Sequence, residues 1–166
     1  MQAGDEIPEL KVTPDKYLTV RYAGASGDFN PIHIDEDFAK QVGLPGRILH
    51  GLWTMAQVAR AQTEAGGGPE SLRRLSVQFR GMGFPEQELI IRSTVREVAD
   101  GVAKINSTAE QSGKKIIRNA EAEVEVTGEV RELRAGVAVI DTRAVQNGKA
   151  IIRNAEAEVR LPTIQE

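Results

Sequence analysis

A change of hydrophobic period in the middle of the chain is the feature that most restricts its fold. Between Gly51 and about Glu64, apolar and small residues recur at helical spacing, and this segment is the best helix in the sequence. From Leu72 onward the period becomes two, which predicts strands over 72–80, 88–98, 102–111 and 114–126. Asp100-Gly101 and Ser112-Gly113 are good hairpin turns between the last three. The sequence therefore predicts an α+β fold with one long helix and an antiparallel sheet.

The last of these strands indicates how the helix and the sheet meet. Ala120, Ala122, Val124 and Val126 alternate with acidic and amide side chains, so one face of the strand is apolar and the other is solvated. Small side chains on the apolar face leave room for a helix to lie close. We therefore expect the sheet to wrap around the helix that begins at Gly51.

Shorter elements are predicted in the N-terminal third. Residues 9–12 can form a short strand, and Thr13-Pro14-Asp15 has the composition of a helix start, which predicts a helix to about Ala25. Asp35 is expected to cap a second short helix over 36–42, which ends at Gly43.

The C-terminal quarter of the chain repeats earlier sequence. Residues 96–126 match 131–161 at a constant offset of 35 with about 60% identity, so a strand-turn-strand unit has been duplicated in tandem. The chain is accordingly divided into a domain over 1–126 and a duplicate over 127–166. The duplicate can extend the sheet of the same domain with two strands, 136–146 and 149–161. Alternatively, it can be exchanged with the first copy, in its own or a neighbouring subunit, because near-identical strands offer near-identical registers.

A candidate catalytic segment precedes the long helix. Asp28 and His33 lie five residues apart, an interval that would place them on different sides of one helix. Pro31 lies between them and pushes Asn30 out of the α region, so the segment should bend and can bring the carboxylate and the imidazole to one cavity. The ordinary alternatives are a surface or capping histidine and an aspartate that closes a turn on its own backbone.

His50-Gly51 opens the long helix. The Gly51 N–H would lie in the first turn, where backbone amides have no partner inside the helix and the helix dipole favours negative charge. Glycine is also ordinary at a helix start, and His50 is interpreted as fixing the loop and not as catalytic. Asp28, His33 and the Gly51 amide together supply a base, a second proton carrier and an oxyanion donor, which suits the addition of water to an activated double bond.

The stretch from Tyr22 to Asp35, followed by His50-Gly51, resembles the signature of the MaoC-like dehydratases, also called R-specific enoyl-CoA hydratases or hydratase 2. The resemblance covers the chain to about Val126. It implies the hot-dog fold, in which an antiparallel sheet wraps one long helix. It also implies hydration of trans-2-enoyl-CoA to (3R)-3-hydroxyacyl-CoA, with Asp28 and His33 as the catalytic pair and Gly51 as the oxyanion donor. Which of Asp28 and His33 is the base stays open.

Three further residues are assigned to substrate binding. Asn30 is expected to orient the catalytic pair or its water, and Phe29 and Trp53 to line an acyl tunnel, although both aromatic residues are also interpretable as plain core. The expected partner is an acyl-CoA or acyl-carrier-protein substrate. Coenzyme A or phosphopantetheine enters only as part of that substrate, and no separate cofactor is expected. The alternatives are an acyl-carrier-protein dehydratase of fatty-acid or polyketide synthesis, a thioesterase, and a non-catalytic hot-dog partner subunit.

Composition excludes several other classes. The 166 residues carry a net charge of −3, so no bulk attraction to nucleic acid or to an anionic membrane is expected. No apolar run is long enough to span a bilayer, and the N-terminus lacks the features of a secretory signal, which fits a cytoplasmic protein. The sequence has no cysteine and two histidines, so disulfides, thiolate catalysis and a metal site are not expected. Edge-to-edge pairing of sheets predicts a homodimer or a higher homo-oligomer.

Overall fold

The computed structural model describes residues 1–126, 130–134, 137–146 and 149–160. These residues form two compact units, divided at Val126. The first unit contains β1 (Glu6–Val12), α1 (Leu18–Ser26), α2 (Pro31–Ile34), α3 (Glu36–Gln41), α4 (Gly51–Gly66), a 3₁₀ turn (Pro69–Ser71), β2 (Leu72–Phe79), β3 (Leu89–Ala99), β4 (Val102–Gln111) and β5 (Lys114–Glu125). The second contains β6 (Val130–Arg134), β7 (Val137–Gln146) and β8 (Lys149–Arg160).

The first unit is a hot-dog fold, as the sequence predicted. Its five strands form one antiparallel sheet in the order β1-β3-β4-β5-β2, and α4 contacts all five of them. Trp53, Val58 and Ala61 of α4 are buried against residues of β3, β4 and β5, such as Ile91 and Ile117. The apolar layer between the helix and the sheet is the core of this unit.

The strands predicted after Leu72 in this unit agree with the structure to within one residue, whereas β1 begins three residues earlier than predicted. Asp100, Gly101, Ser112 and Gly113 all have positive φ, which is the backbone geometry of tight hairpin turns. The apolar face of β5 is buried as expected, because Ala120, Ala122 and Val124 are each at most 2% exposed. Gly66 shows how close the helix and the sheet approach, since a Cβ on this residue would lie 2.3 Å from Val124 Cγ1.

The helix start predicted at Thr13 is wrong. The first helix begins at Leu18, and the Pro14 carbonyl accepts a hydrogen bond of 2.6 Å from the backbone N–H of Glu86 instead of from a residue one helical turn later. Asp15 folds a local turn in its place, with its side chain accepting from the backbone N–H of Tyr17. A partner 72 residues away in the sequence thus delays the helix by about one turn.

The second unit is a three-stranded antiparallel sheet in the order β6-β7-β8. The two strands that the sequence predicted here are present as β7 and β8. Gly136 and Leu161, the outer ends of the predicted strands, lie outside the described residues. Across the described residues of both units, no helix combines the length and the apolar character that crossing a bilayer requires.

Candidate active site

The bend predicted between Asp28 and His33 is present and depends on Asn30. The Asn30 backbone lies outside the α region, with φ −55° and ψ 126°, and its side-chain Oδ1 accepts a 3.2 Å hydrogen bond from the Ile32 N–H. Asn30 is therefore the N-cap of α2, the single helical turn that carries His33. The backbone N–H of Asn30 also donates to Asp28 Oδ1 at 3.2 Å, which leaves Oδ2 as the carboxylate oxygen directed toward His33.

Asp28 and His33 face each other across a short gap. His33 Nε2 lies 3.8 Å from Asp28 Oδ2, a distance too long for a direct hydrogen bond. The His33 side chain is nearly buried at 10% exposure, whereas that of Asp28 is 53% exposed. A nearly buried imidazole and a solvated carboxylate therefore face each other.

A hydrogen bond to the backbone sets the tautomer of His33. It leaves the ring nitrogen that faces Asp28 without a proton. His33 Nδ1 lies 2.8 Å from the carbonyl oxygen of Ile48, and because a carbonyl can only accept, Nδ1 carries the hydrogen. In the neutral ring, Nε2 is then an acceptor. Asp28 Oδ2 and His33 Nε2 are both acceptors, so the gap between them fits a molecule that can donate to each, such as water.

His50 connects the two residues of the pair. Its Nε2 donates a 3.0 Å hydrogen bond to the backbone carbonyl of Asp28, and its ring stacks on that of His33 with centroids 3.8 Å apart. Tyr22 covers His50 with a tilted ring at 4.9 Å. The sequence interpretation of His50 as a residue that fixes the loop agrees with these contacts.

Gly51 follows directly as the first residue of α4. His50 is the N-cap, and the first hydrogen bond inside the helix runs from the Thr54 N–H to the His50 carbonyl, so the Gly51 N–H has no helical partner. A Cβ on Gly51 would lie 3.3 Å from the ring of Phe79, at the end of β2. The absence of a side chain thus keeps the amide accessible beneath an aromatic ring that is 46% exposed.

The remaining predicted binding residues lie in different environments. Phe29 is 58% exposed beside Asp28. Trp53 is 8% exposed and belongs to the core, which is the alternative that the sequence left open for it. Their roles in substrate binding stay predictions.

The structure adds two residues to the site that sequence reasoning missed. Ile48 acts through its carbonyl, for which a side-chain pattern gives no signal. Phe79 could have been found from the sequence. It continues the alternation of Leu75 and Val77, which lie on the apolar face of the strand that packs toward α4.

Asp28, His33 and His50 also form the one group among the described residues whose spacing could suit a metal, with potential ligand atoms within 4.8 Å of one another. His50 Nε2 is committed to the Asp28 carbonyl, and His50 Nδ1 is buried without a hydrogen-bond partner. Because Nε2 carries the hydrogen, His50 Nδ1 keeps a free lone pair, as do Asp28 and His33 Nε2.

A cavity of about 450 Å³ lies elsewhere in the first unit. It is lined mainly by polar residues of β2, β3, β4 and β5, including Arg74, Lys104 and Glu121, and by none of the catalytic candidates.

Comparison with known proteins identifies the class. The sequence profile described as "MaoC like domain" matches residues 2–120, so the chain belongs to this hydratase and dehydratase family. A solved "MaoC-like dehydratase" superposes with a TM-score of 0.72 at 30% identity, over 75% of this chain and 40% of that one. The "(R)-hydratase from A. caviae involved in PHA biosynthesis" shares the fold, with a TM-score of 0.69 at 20% identity over 76% of this chain and 97% of that one.

Curated relatives include two kinds of protein. The peroxisomal enoyl-CoA hydratase 2 of Arabidopsis thaliana is 37% identical over 86 residues, which cover 51% of this chain and 27% of the relative. The fatty acid synthase subunit beta of Aspergillus oryzae is 38% identical over 109 residues, covering 63% of this chain and 5% of the relative. The chain thus spans about a quarter or less of the length of these relatives.

Proposed function

We propose that this protein is a hydro-lyase that adds water to trans-2-enoyl thioesters and forms (3R)-3-hydroxyacyl thioesters, and that it also catalyses the reverse dehydration. The observation that carries the proposal is the pair of acceptors, Asp28 Oδ2 and His33 Nε2, which face each other at 3.8 Å. Two acceptors at this separation bind a water molecule through both of its hydrogens. The oxygen lone pairs of that water then point away from the protein, toward a substrate.

Addition of water needs an electrophilic carbon 3. When the thioester carbonyl lies against the Gly51 N–H, negative charge that develops on its oxygen is stabilised by an amide without a helical partner and by the positive end of α4. One such donor typically contributes about 10²–10³ in rate. This arrangement polarises the conjugated double bond, so that carbon 3 accepts the water oxygen.

The acid-base steps follow from the same geometry. As the water oxygen bonds to carbon 3, one member of the Asp28–His33 pair accepts its proton, and a proton from the pair is delivered to carbon 2. Acid-base catalysis of this kind contributes about 10²–10⁴. Because both proton carriers lie on one side of the substrate, hydroxyl and hydrogen add to the same face, which gives a single product hand.

Exposed apolar side chains near these residues suit an acyl chain. Phe29 follows Asp28, Leu52 follows Gly51, and the Phe79 ring covers Gly51; their exposures are 58%, 64% and 46%. We propose that these side chains contact the acyl group, while Trp53 supports the helix from inside the core.

The proposal is tested by following the ultraviolet absorbance of the enoyl thioester band of crotonyl-CoA with the purified chain. We expect the band to decay, and we expect His33→Ala to abolish most of the decay without unfolding the protein. Decay at the wild-type rate with His33→Ala would contradict the assignment. Release of free thiol in place of hydration would indicate a thioesterase.

A second candidate is favoured by the relatives among fatty acid synthase β subunits. In that case the same chemistry acts on a thioester held by an acyl-carrier protein. Comparison of kcat/KM for crotonyl-CoA and for the crotonyl group on a carrier protein separates the two substrates.

We also propose that the protein assembles into a homo-oligomer. Strands β1 and β2 are the two edges of the first sheet, and an unpaired edge can pair with another copy. A solved neighbour with 22% identity is named as a complex of two chains, ChsH1 and ChsH2. Measurement of molar mass in solution tests the assembly.

A further inference from the structure

The duplicated strands repeat the backbone pairing of the first copy. The β4–β5 pairing begins at Val102↔Glu125, and the β7–β8 pairing begins 35 residues later, at Val137↔Arg160. Every later pair of β7–β8 keeps the same offset, including two irregularities in register. β6 pairs with β7 as the last residues of β3 pair with β4. The second hairpin thus has the same register as the first.

The β5 residues that are paired with β2 in the sheet are all present in β8. Six β5 residues pair with β2. Their counterparts 35 positions later are identical: Ile117, Arg118, Glu121, Ala122, Glu123 and Val124 correspond to Ile152, Arg153, Glu156, Ala157, Glu158 and Val159. Because β2 would meet the same six residues in either strand, these pairs do not favour β5 over β8.

The core positions are kept as well. Ten residues of β4 and β5 are buried, and nine of them recur unchanged in β7 and β8. The exception is Ser107, whose counterpart is Thr142. Ser107 Oγ accepts a buried 2.8 Å hydrogen bond from Gln62 Nε2, and threonine also offers a hydroxyl for this bond. The second hairpin therefore has side chains that suit the same helix.

The differences fall on the exposed positions. Of the twelve residues of β4 and β5 that are not buried, six differ in the second copy. They remove the three ion pairs that link the first hairpin to β2 and β3: Lys104–Glu97, Arg92–Glu110 and Arg73–Glu125, because Lys104, Glu110 and Glu125 correspond to Val139, Val145 and Arg160. Exposed ion pairs contribute little to stability. They favour the first hairpin only modestly.

We propose that β7–β8 is a working substitute for β4–β5, able to occupy the same place between β3 and β2 of its own chain. The sheet then has the order β1-β3-β7-β8-β2, and residues 100–136 form the connection that leaves the sheet and returns. Its own chain is the favoured source of the hairpin, because a covalent connection gives a high effective concentration. The first hairpin is the preferred occupant, and the second replaces it when the first is damaged.

The test places a buried charge in either copy of the full chain. Ala122→Glu introduces an unpaired carboxylate at a position that is 2% exposed, and Ala157→Glu is the same change in the second copy. Trp53, the single tryptophan, lies in the core of the first unit, so its fluorescence reports thermal unfolding of that unit. Each single variant should lower the midpoint of thermal unfolding by less than about 5 °C, and the double variant should lower it by more than about 10 °C.

The comparison of Ala122→Glu with the double variant decides whether the second hairpin can substitute for the first. If Ala122→Glu alone lowers the midpoint as far as the double variant does, the second hairpin does not substitute and the proposal is wrong. Ala157→Glu is the matched control, and its small effect shows that damage to the spare copy leaves the first sheet intact.

Cross-linking identifies the occupant directly, because the native chain has no cysteine. Ser76 of β2 pairs with Glu121, whose counterpart is Glu156. In the Ala122→Glu background, we expect Ser76→Cys with Glu156→Cys to oxidise to a cross-linked monomer. Ser76→Cys with Asp141→Cys is the control: Asp141 is one strand further, at about 10 Å, beyond the reach of a disulfide.

Other cross-linking outcomes count against the proposal. If Ser76→Cys with Glu156→Cys fails to oxidise, β8 does not reach β2, and a cross-linked dimer would show exchange between copies instead of substitution within one. Neither readout requires catalysis, so the result is independent of the proposed hydratase activity.

Discussion

The active-site segment and the duplicated hairpins differ in how much of their sequence can be replaced. At the site, each polar atom has one role: Asn30 caps α2, Ile48 fixes the proton on His33, and His50 connects Asp28 to His33. In the hairpins, a pattern of residue types is present twice with the same register. The proposed function depends on particular atoms over 28–51, whereas the proposed exchange of hairpins depends only on a repeated pattern of residues. The comparison predicts that single substitutions at the site remove activity and leave stability. A single substitution in either hairpin should leave activity and lower stability only modestly, because the other copy can take its place.

The largest effect on activity is expected from Asp28→Asn. The amide would place a donor opposite His33 Nε2, so the two acceptors that hold the water would no longer exist. We expect kcat to fall by about 10²–10⁴ and the thermal midpoint to stay within about 2 °C of wild type. Asp37→Asn, on exposed α3, is the control and should keep full activity. A stable Asp28→Asn variant with near wild-type turnover would exclude Asp28 from catalysis.

The largest effect on stability in this series is expected from Gly66→Ala. Its Cβ would lie 2.3 Å from Val124 Cγ1 and 2.9 Å from Ser71 Oγ, so α4 must move away from β5. Overpacking of this kind costs about 1–3 kcal/mol, partly offset by the higher helix propensity of alanine. Urea denaturation measures the loss, and Val124→Ala in the same chain should recover part of it. If Gly66→Ala is as stable as wild type, the helix and the sheet are less closely packed than described.

His50→Phe should have a smaller effect, on rate more than on stability. Phenylalanine keeps a ring against His33 but cannot donate to the Asp28 carbonyl. Loss of one hydrogen bond, about 1 kcal/mol, corresponds to roughly a fivefold lower kcat. His50→Gln retains a donor and should recover part of the rate. A lower rate for the glutamine variant than for the phenylalanine variant would show that the ring, and not the hydrogen bond, positions Asp28.

The smallest effect is expected from Glu36→Gln, and it depends on pH. The backbone N–H of Arg47 and then the Lys40 ammonium hold the pKa of Glu36 below its ordinary value. Because the folded pKa is lowered, the stabilisation is present above the ordinary glutamate pKa of about 4.3 and is lost as the pH falls through the folded value. Urea denaturation across acidic pH should therefore show a shallower acid-side decline for Glu36→Gln. An unchanged slope would show that Glu36 does not contribute to the pH dependence of stability.

Much of the fold could be predicted because its determinants are local. The period of two, the turns at Asp100-Gly101 and Ser112-Gly113, and the Asp35 cap each act within a few residues, and the structure contains all of them. The helix start at Thr13 failed for the opposite reason. Its local signal was good, but Glu86 competes for the Pro14 carbonyl from another part of the chain.

The candidate site was predictable in its residues and not in its geometry. The spacing of Asp28, Pro31 and His33 predicted a bend, and the bend is present. The distance between the pair, and the tautomer of His33, depend on the Ile48 carbonyl 15 residues away. No side-chain pattern encodes a backbone carbonyl as a partner.

The sequence by itself determined the family, the order of strands along the chain, the duplication, and the residues available for acid-base chemistry, because all of these are written as residue types at fixed intervals. Only the tertiary structure decided that Trp53 lies in the core, that Phe79 covers Gly51, and that His50 connects Asp28 to His33. The physical reason is that these contacts join residues far apart in the chain, and their partners are selected by packing between the helix and the sheet.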